Sequence, residues 1–199
     1  LERGIHHADW KCFCNTFFLY GTHYYDPDTG SSFIPTETAK DMGVRFFKKA
    51  GTTYKAGNTK KAFYYLGLSL HYVTDITQPM HSALFTDWNL SMPFYHYQFE
   101  KVAVKIQNRF SLTEKIHFKD VLEVKDPGTW IHNAAKEAKN QQPSIVNKKL
   151  RNCYLLSFID RDYNKKWQSE ITPIIGAQLI KAQILTAQFI HLWFETYVL

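Results

Sequence analysis

Two pairs of side chains, each spaced four residues apart, constrain this chain more than any other feature. His71 precedes Asp75, and His96 precedes Glu100, within the thirty residues from 71 to 100. On an α-helix this spacing places both side chains of a pair on one face, one turn apart. Imidazole nitrogen and carboxylate oxygen in this arrangement can bind one metal ion, and both ligand types suit zinc. The pairs therefore predict two helices that carry metal ligands.

Each pair taken alone has a simpler interpretation. A single histidine on an apolar helix face is more often a hydrogen-bonded core residue, and a histidine–carboxylate pair is usually a polar contact at or near the surface. The combination favours metal binding, because His81 lies between the two pairs and the apolar segment 63–70 leads directly into His71. Polar groups at the end of an apolar helix are costly unless they have a partner, and a metal ion supplies one.

The hydrophobic pattern predicts an all-α, compact, multi-helix single domain over residues 1–199. Apolar residues recur at helical spacing before His71, and no alternating strand pattern persists anywhere in the chain. We predict a helix from Thr36 or Thr38 to about residue 50, and a separate short segment between Gly51 and Gly57. Further helices are predicted at about 60–75, 95–110, 129–140, 143–151 and 172–197, with 1–36 mainly loop and 111–127 irregular.

Composition fits one globular domain and gives few clues to a partner. The chain has 199 residues, 45% hydrophobic residues and a net charge of +6. The basic residues are scattered, which favours a general solubility charge over a dedicated nucleic-acid groove. No apolar run reaches the length of a membrane span, and no signal peptide is visible. Cys12, Cys14 and Cys153 allow at most one disulfide to Cys153, and three free thiols are the alternative.

The string HYVTDITQPMH, from His71 to His81, resembles the signature of the bacterial zinc-dependent phospholipases C. The resemblance covers nearly the whole chain, from GIHHAD near the start to LWFETY near the end, and is strongest to the small, single-domain type that hydrolyses phosphatidylcholine. It implies a secreted enzyme that converts phosphatidylcholine, and other phospholipids as a further option, to diacylglycerol and phosphocholine at a membrane surface. We further expect a monomer without a nucleic-acid partner.

The resemblance also implies a site, residue by residue. Seven positions match metal ligands of the family: Asp9, His23, His71, Asp75, His81, His96 and Glu100. The first four are expected to bind one zinc, and the last three a second zinc with water at the open position. Asp9 is the expected general base, Asp75 is expected to bridge toward a third zinc, and Trp10 and Tyr20 match aromatic residues that face the choline headgroup.

Two features depart from the family pattern. The family's third zinc uses the mature N-terminal residue and a histidine shortly after it, and neither matches a residue here. We therefore expect two zinc sites from this chain, a third only if upstream residues exist, and a domain that lacks the family's N-terminal segment. Leu84 occupies a position where the family favours Asn. His117, His132 and His191 have no partner at ligand spacing and are interpreted as structural.

Two alternatives to the phospholipase interpretation remain open. A zinc nuclease that cleaves single-stranded nucleic acid has a similar core, but it usually ends its last ligand pair in Asp, where this chain has Glu100. The other alternative is a catalytically impaired fragment or a subunit of a larger toxin-like protein. Phosphocholine release and single-strand cleavage discriminate between the two enzymes.

Overall fold

The structure is a computed structural model that describes residues 1–6, 20–112 and 124–199. The described residues are helical and loop segments without a strand, which confirms the all-α prediction. The labelled helices are α1 (Ala39–Lys55), α2 (Thr59–Thr77), α3 (Pro79–Ser82), α4 (Tyr95–Ile106), α5 (Pro127–Asn140), α6 (Gln142–Ile145), α7 (Lys148–Leu156) and α8 (Arg161–Tyr197). Gln107–Arg109 extends α4 as a 3-10 turn, and residues 2–6 and 20–21 are also helical, whereas the sequence predicted mainly loop there.

Side-chain caps decide where the first two long helices begin. Thr38 and Asp41 form a capping box, in which the Thr38 hydroxyl oxygen accepts a hydrogen bond from the Asp41 amide and the Asp41 carboxylate accepts one from the Thr38 amide. The Asn58 side chain caps α2 by accepting from the Lys61 amide. For each helix the sequence offers two candidates for the cap, Thr36 or Thr38 and Asn58 or Thr59, and the structure uses Thr38 and Asn58.

One residue ends α2 and begins α3. Gln78 has an extended backbone, with φ −84° and ψ 120°, and Pro79 occupies the first position of α3. Proline favours an extended residue before it and tolerates the first helical turn after it. The resulting bend lets His81 on α3 approach the end of α2, where Asp75 lies.

Three predicted boundaries were wrong. The helix α1 continues through Gly51 to Lys55, and the missing side chain of Gly51 leaves room for the Tyr197 ring. The predicted helix 143–151 is two helices, α6 and α7, separated at Val146 and Asn147. The last helix begins at Arg161 and passes through Pro173 without ending.

Packing explains why α8 tolerates a proline in its interior. Trp167 and Ile171 before Pro173, and Ile175 after it, are all buried in the same hydrophobic cluster. A proline inside a helix costs about 3 kcal/mol, and three large buried side chains on one face outweigh that cost. The helix therefore continues where its sequence alone predicts a new start.

Two hydrophobic clusters form the core, and α8 contributes to both. The first joins α1, α2 and α5 to Leu185, Phe189, Leu192 and Trp193 of α8. The second joins α4 and α7 to the N-terminal half of α8. The two predicted ligand pairs lie on α2 and α4, so that each pair belongs to a helix of a different cluster.

Candidate metal centre

The first group of candidate ligands joins the end of α2 to the loop before α1. His71 Nε2 lies 3.2 Å from Asp75 Oδ2, as the four-residue spacing predicted. His23, which is 52 residues away from Asp75 in the sequence, places its Nδ1 2.7 Å from the same carboxylate oxygen. His71 Nε2 and His23 Nδ1 are 3.1 Å apart. Three potential ligand atoms therefore converge on one point.

The second group joins α3 to α4. His96 Nε2 lies 2.8 Å from Glu100 Oε1, and His81 Nε2 lies 3.2 Å from the same oxygen. The two imidazole Nε2 atoms are 3.1 Å apart. All four histidines of the two groups are buried, whereas 47% of the Glu100 side chain is exposed. The second group therefore opens to solvent on its carboxylate side.

Hydrogen bonds to backbone carbonyls determine which ring nitrogens of the second group carry hydrogen. His81 Nδ1 lies 2.7 Å from the carbonyl oxygen of His23, and His96 Nδ1 lies 3.0 Å from that of Phe85. A carbonyl can only accept, so Nδ1 is the donor in both rings, and in the neutral ring the lone pair is on Nε2. Two lone pairs and a carboxylate oxygen that face one another fit a cation between them, as in metal sites whose histidines are oriented by backbone carbonyls.

The electrostatics of the carboxylates agree with a site for a cation. Burial by itself raises the pKa of the Asp75 carboxyl, but His71 and His23 beside it hold that pKa well below its usual range. Burial also raises the pKa of the Glu100 carboxyl, but the imidazoles of His81 and His96 in contact with it outweigh that effect and lower the pKa strongly. Both carboxylates are therefore ionised at neutral pH and attract positive charge.

Sequence reasoning missed three residues near the site: Tyr24, Phe33 and Gln78. The Tyr24 hydroxyl lies 3.1 Å from His96 Nδ1, and its ring stacks on His81 at a centroid distance of 4.6 Å. The predicted Tyr20 joins the same region, since its ring lies 5.6 Å from Tyr24 and 6.2 Å from Phe33. An aromatic residue directly after His23 was the signal available for Tyr24, but aromatic residues are frequent in this chain.

The side-chain amide of Gln78 contacts the second group as a hydrogen-bond donor. Its Nε2 lies 2.9 Å from His96 Nε2 and 3.4 Å from Glu100 Oε1, while its Oε1 accepts a hydrogen bond from the Met80 amide. The Gln-Pro step that begins α3 predicts a turn, and the direction of the side chain toward His96 depends on the tertiary structure.

The remaining predicted residues divide into two sets. Asp9, Trp10, Cys12, Cys14 and His117 lie outside the described residues. His132 has a structural contact, with its Nδ1 2.8 Å from the Tyr25 hydroxyl. His191 was predicted to have no partner at ligand spacing, and this prediction was wrong. Glu195 lies one turn further along α8, with its Oε1 3.7 Å from His191 Nε2. This pair shows that the four-residue spacing alone does not identify a metal site.

The comparisons with known proteins agree on one family. The family model described as zinc dependent phospholipase C matches residues 7–178. A phospholipase C from Bacillus cereus is 40% identical over 202 aligned positions, which cover 99% of this chain and 69% of the relative. A phospholipase C from Listeria monocytogenes is 34% identical over 199 positions, covering 97% of this chain and 64% of the relative.

The solved alpha toxin from Clostridium absonum has the same fold, with a TM-score of 0.75 at 22% identity over 98% of this chain and 53% of the toxin chain. This chain therefore spans about half of the toxin and about two thirds of the Bacillus and Listeria relatives. The family match over most of the chain, together with the two groups of histidine and carboxylate side chains, shows that the chain belongs to the zinc-dependent phospholipase C family of phosphoric diester hydrolases.

Proposed function

We propose that this chain hydrolyses phosphatidylcholine to diacylglycerol and phosphocholine, with one zinc ion at each of the two ligand groups. The observation that carries the proposal is the convergence of His81, His96 and Glu100, with the two imidazole nitrogens 3.1 Å apart. Bound zinc supplies Lewis acidity, which lowers the pKa of a coordinated water and stabilises negative charge on phosphate oxygens.

The protein's own groups have separate roles in this proposal. Asp75 and Glu100 would supply the negative charge that attracts the metal ions. The hydrogen bonds from Nδ1 of His81 and His96 to backbone carbonyls leave Nε2 of each ring as the nitrogen that would bind the second ion. Because the Glu100 side chain is half exposed, we place the attacking water and the lipid phosphate on this side of the second group. Asp9 would orient or deprotonate the attacking water, a role that rests on the family resemblance alone.

Aromatic rings near the first loop support a choline site. Tyr20, Tyr24 and Phe33 pack against one another, and Tyr24 stacks on His81 of the second ligand group. A quaternary ammonium binds favourably against aromatic faces. We therefore assign the headgroup to the side of the site that Tyr20 borders, with Trp10 as its second proposed contact.

The protein is proposed to act as a secreted monomer on phospholipid at a membrane surface. The scattered basic residues of the sequence disfavour a dedicated nucleic-acid groove. Among the helices of the described ranges, none combines the length and the apolar character that crossing a bilayer requires.

The experiment compares phosphocholine release from phosphatidylcholine with cleavage of single-stranded DNA, using protein loaded with zinc. We expect lipid hydrolysis, loss of that activity in Glu100→Gln, and retention in His132→Asn, whose side chain lies outside both groups. DNA cleavage without phosphocholine release would favour the nuclease alternative and contradict the proposal. Headgroup selectivity is measured with phosphatidylethanolamine under the same conditions.

A further inference from the structure

The surface beside the second ligand group exposes large apolar side chains. On the loop 83–94, Trp88 is 74% exposed, Leu90 is 98% exposed and Phe94 also lies at the surface. On α4, which follows the loop, Tyr97 and Val104 are exposed as well. Large apolar groups concentrated in this way on one loop and one helix face are unusual for a solvated surface, and they indicate a contact with an apolar partner.

Specific hydrogen bonds hold this loop against α4. The Asp87 carboxylate accepts a hydrogen bond from the Tyr97 amide at 2.8 Å, and the Asp87 carbonyl accepts one from the Phe94 amide at 3.2 Å. Phe94 adopts a left-handed backbone, with φ 58°, which costs energy in a bulky residue. The position of Trp88, next to Asp87, is therefore set by the start of α4.

The same helix face connects the apolar residues to the candidate metal centre. Tyr97, Lys101, Val104 and Lys105 follow helical spacing and surround a shallow depression of about 440 Å³ that Glu100 also lines. Glu100 therefore faces the second ligand group with its carboxylate and borders this surface. A lipid that lay on the surface would have its phosphate near the site.

The charges on this surface match a phospholipid headgroup layer. Lys101 and Lys105 are exposed beside the apolar residues, and Lys101 Nζ lies 5.7 Å from the Tyr97 ring centroid. Aromatic and leucine side chains next to lysines suit the boundary between headgroups and acyl chains, where the rings and leucine enter the apolar layer and the ammonium groups meet phosphate. A protein partner with an acidic rim is the competing occupant.

We propose that Trp88, Leu90, Phe94 and Tyr97, with Lys101 and Lys105, form the surface by which this protein docks on a phosphatidylcholine bilayer. This inference rests on the proposed function, because it assigns a role to the surface next to the site that would hydrolyse the lipid. The docking surface, so defined, is separate from the metal ligands, and it is expected to govern access to aggregated lipid without affecting hydrolysis of dissolved lipid.

The test measures binding separately from hydrolysis. The probe is a vesicle of a phosphatidylcholine analogue in which a methylene group replaces the oxygen between glycerol and phosphorus, so that the bond cleaved by a phospholipase C is absent. Zinc-loaded wild-type protein is expected to sediment with these vesicles. Trp88→Ser/Leu90→Ser is expected to bind about a hundredfold more weakly, since each of the two buried apolar side chains contributes about a factor of ten. Lys101→Gln/Lys105→Gln is expected to weaken binding as well, because it removes the ammonium groups that would meet lipid phosphate.

Leu199→Ser is the matched control. Leu199 is exposed, and it lies two residues after Tyr197, whose ring packs on Gly51 of α1, whereas the docking surface belongs to the loop 83–94 and α4. Hydrolysis of dihexanoyl phosphatidylcholine, dissolved below its critical micelle concentration, tests whether each variant keeps its fold and its catalytic site. All variants are expected to hydrolyse this lipid like the wild type.

Two outcomes would overturn the docking proposal: no vesicle binding by the wild type, or equal binding by Trp88→Ser/Leu90→Ser. If that variant bound vesicles equally but changed its oligomeric state by analytical ultracentrifugation, the surface would be assigned to a second copy of the chain. Absence of hydrolysis of the dissolved lipid by the wild type would contradict the proposed function instead, and vesicle binding would still decide the docking proposal.

Discussion

His81 Nδ1 lies 2.7 Å from the carbonyl oxygen of His23, and this hydrogen bond joins the two groups of candidate metal ligands. His23 binds the Asp75 carboxylate with its own ring, so that its backbone and side chain serve different groups. The loop before α1 therefore positions a ligand in the first group and orients a ligand in the second. A change at either histidine is expected to affect the neighbouring group.

Substitution of His81 tests the number of metal ions. His81→Asn removes one of the two Nε2 atoms of the second group and leaves only His96 and Glu100, so we expect zinc content to fall by about one ion per chain relative to the wild type. Zinc is measured by plasma mass spectrometry after dialysis. His132→Asn, which removes an imidazole outside both groups, is expected to retain the wild-type content. Equal zinc content in all three proteins would refute the second site.

The hydroxyl of Tyr24 is expected to tune zinc affinity. Its oxygen lies 3.1 Å from His96 Nδ1, and burial raises the pKa of Tyr24, so the phenol stays neutral. Partners of this kind change metal affinity by about tenfold or more when they are removed, and we expect Tyr24→Phe to weaken zinc binding by about tenfold. Competition with a chromophoric chelator measures the affinity. Tyr25→Phe, which loses its contact with His132 instead, should bind zinc as the wild type does.

The zinc-free protein is expected to have a maximum of stability in mildly acidic solution. Burial by itself lowers the pKa of His81, but Glu100 and Asp75 outweigh it and raise that pKa above 6.5. The raised pKa gives stability that is present below 6.5 and is lost as the pH rises through the folded-state value. The lowered carboxyl pKa values of Asp75 and Glu100 give stability that is present above about 4 and is lost as the pH falls through theirs.

Urea unfolding in the presence of a chelator measures this dependence. We expect the free energy of unfolding to be larger near about pH 6 than at about pH 8 or pH 3. Glu100→Gln removes a partner that raises the pKa of His81. The free energy of unfolding of that variant should therefore fall less than that of the wild type between the mildly acidic and the mildly basic pH. An unfolding free energy that does not change over this range would show that the imidazole–carboxylate contacts are absent without metal.

Gly51 is expected to tolerate no larger residue. A Cβ atom at this position would lie 2.2 Å from Cζ of the Tyr197 ring. Alanine is intrinsically about 1 kcal/mol more favourable than glycine inside a helix. A net loss of stability in Gly51→Ala would therefore come from the steric clash with Tyr197. We expect Gly51→Ala to lower the free energy of unfolding by about 1–2 kcal/mol, measured by chemical denaturation. In a Tyr197→Leu background the same substitution should cost less, and an equal cost would place the clash elsewhere.

The sequence alone determined the local part of the site. His71 with Asp75, and His96 with Glu100, were predicted as pairs because the helical repeat places side chains four residues apart on one face, and in both pairs ligand atoms lie within 3.2 Å. The caps at Thr38 and Asn58 were predictable for the same reason, since a cap is a hydrogen bond between near neighbours in the chain.

Only the tertiary structure decided which distant groups meet. The contact of His23 with Asp75 spans 52 residues, and the contact of His81 with His96 depends on the bend at Gln78 and on the packing of α2 and α4 in different clusters. The passage of α8 through Pro173 likewise follows from side chains buried on both sides of it. Such features depend on how residues far apart in the chain pack together, and the spacing of neighbouring residues contains no information about that packing.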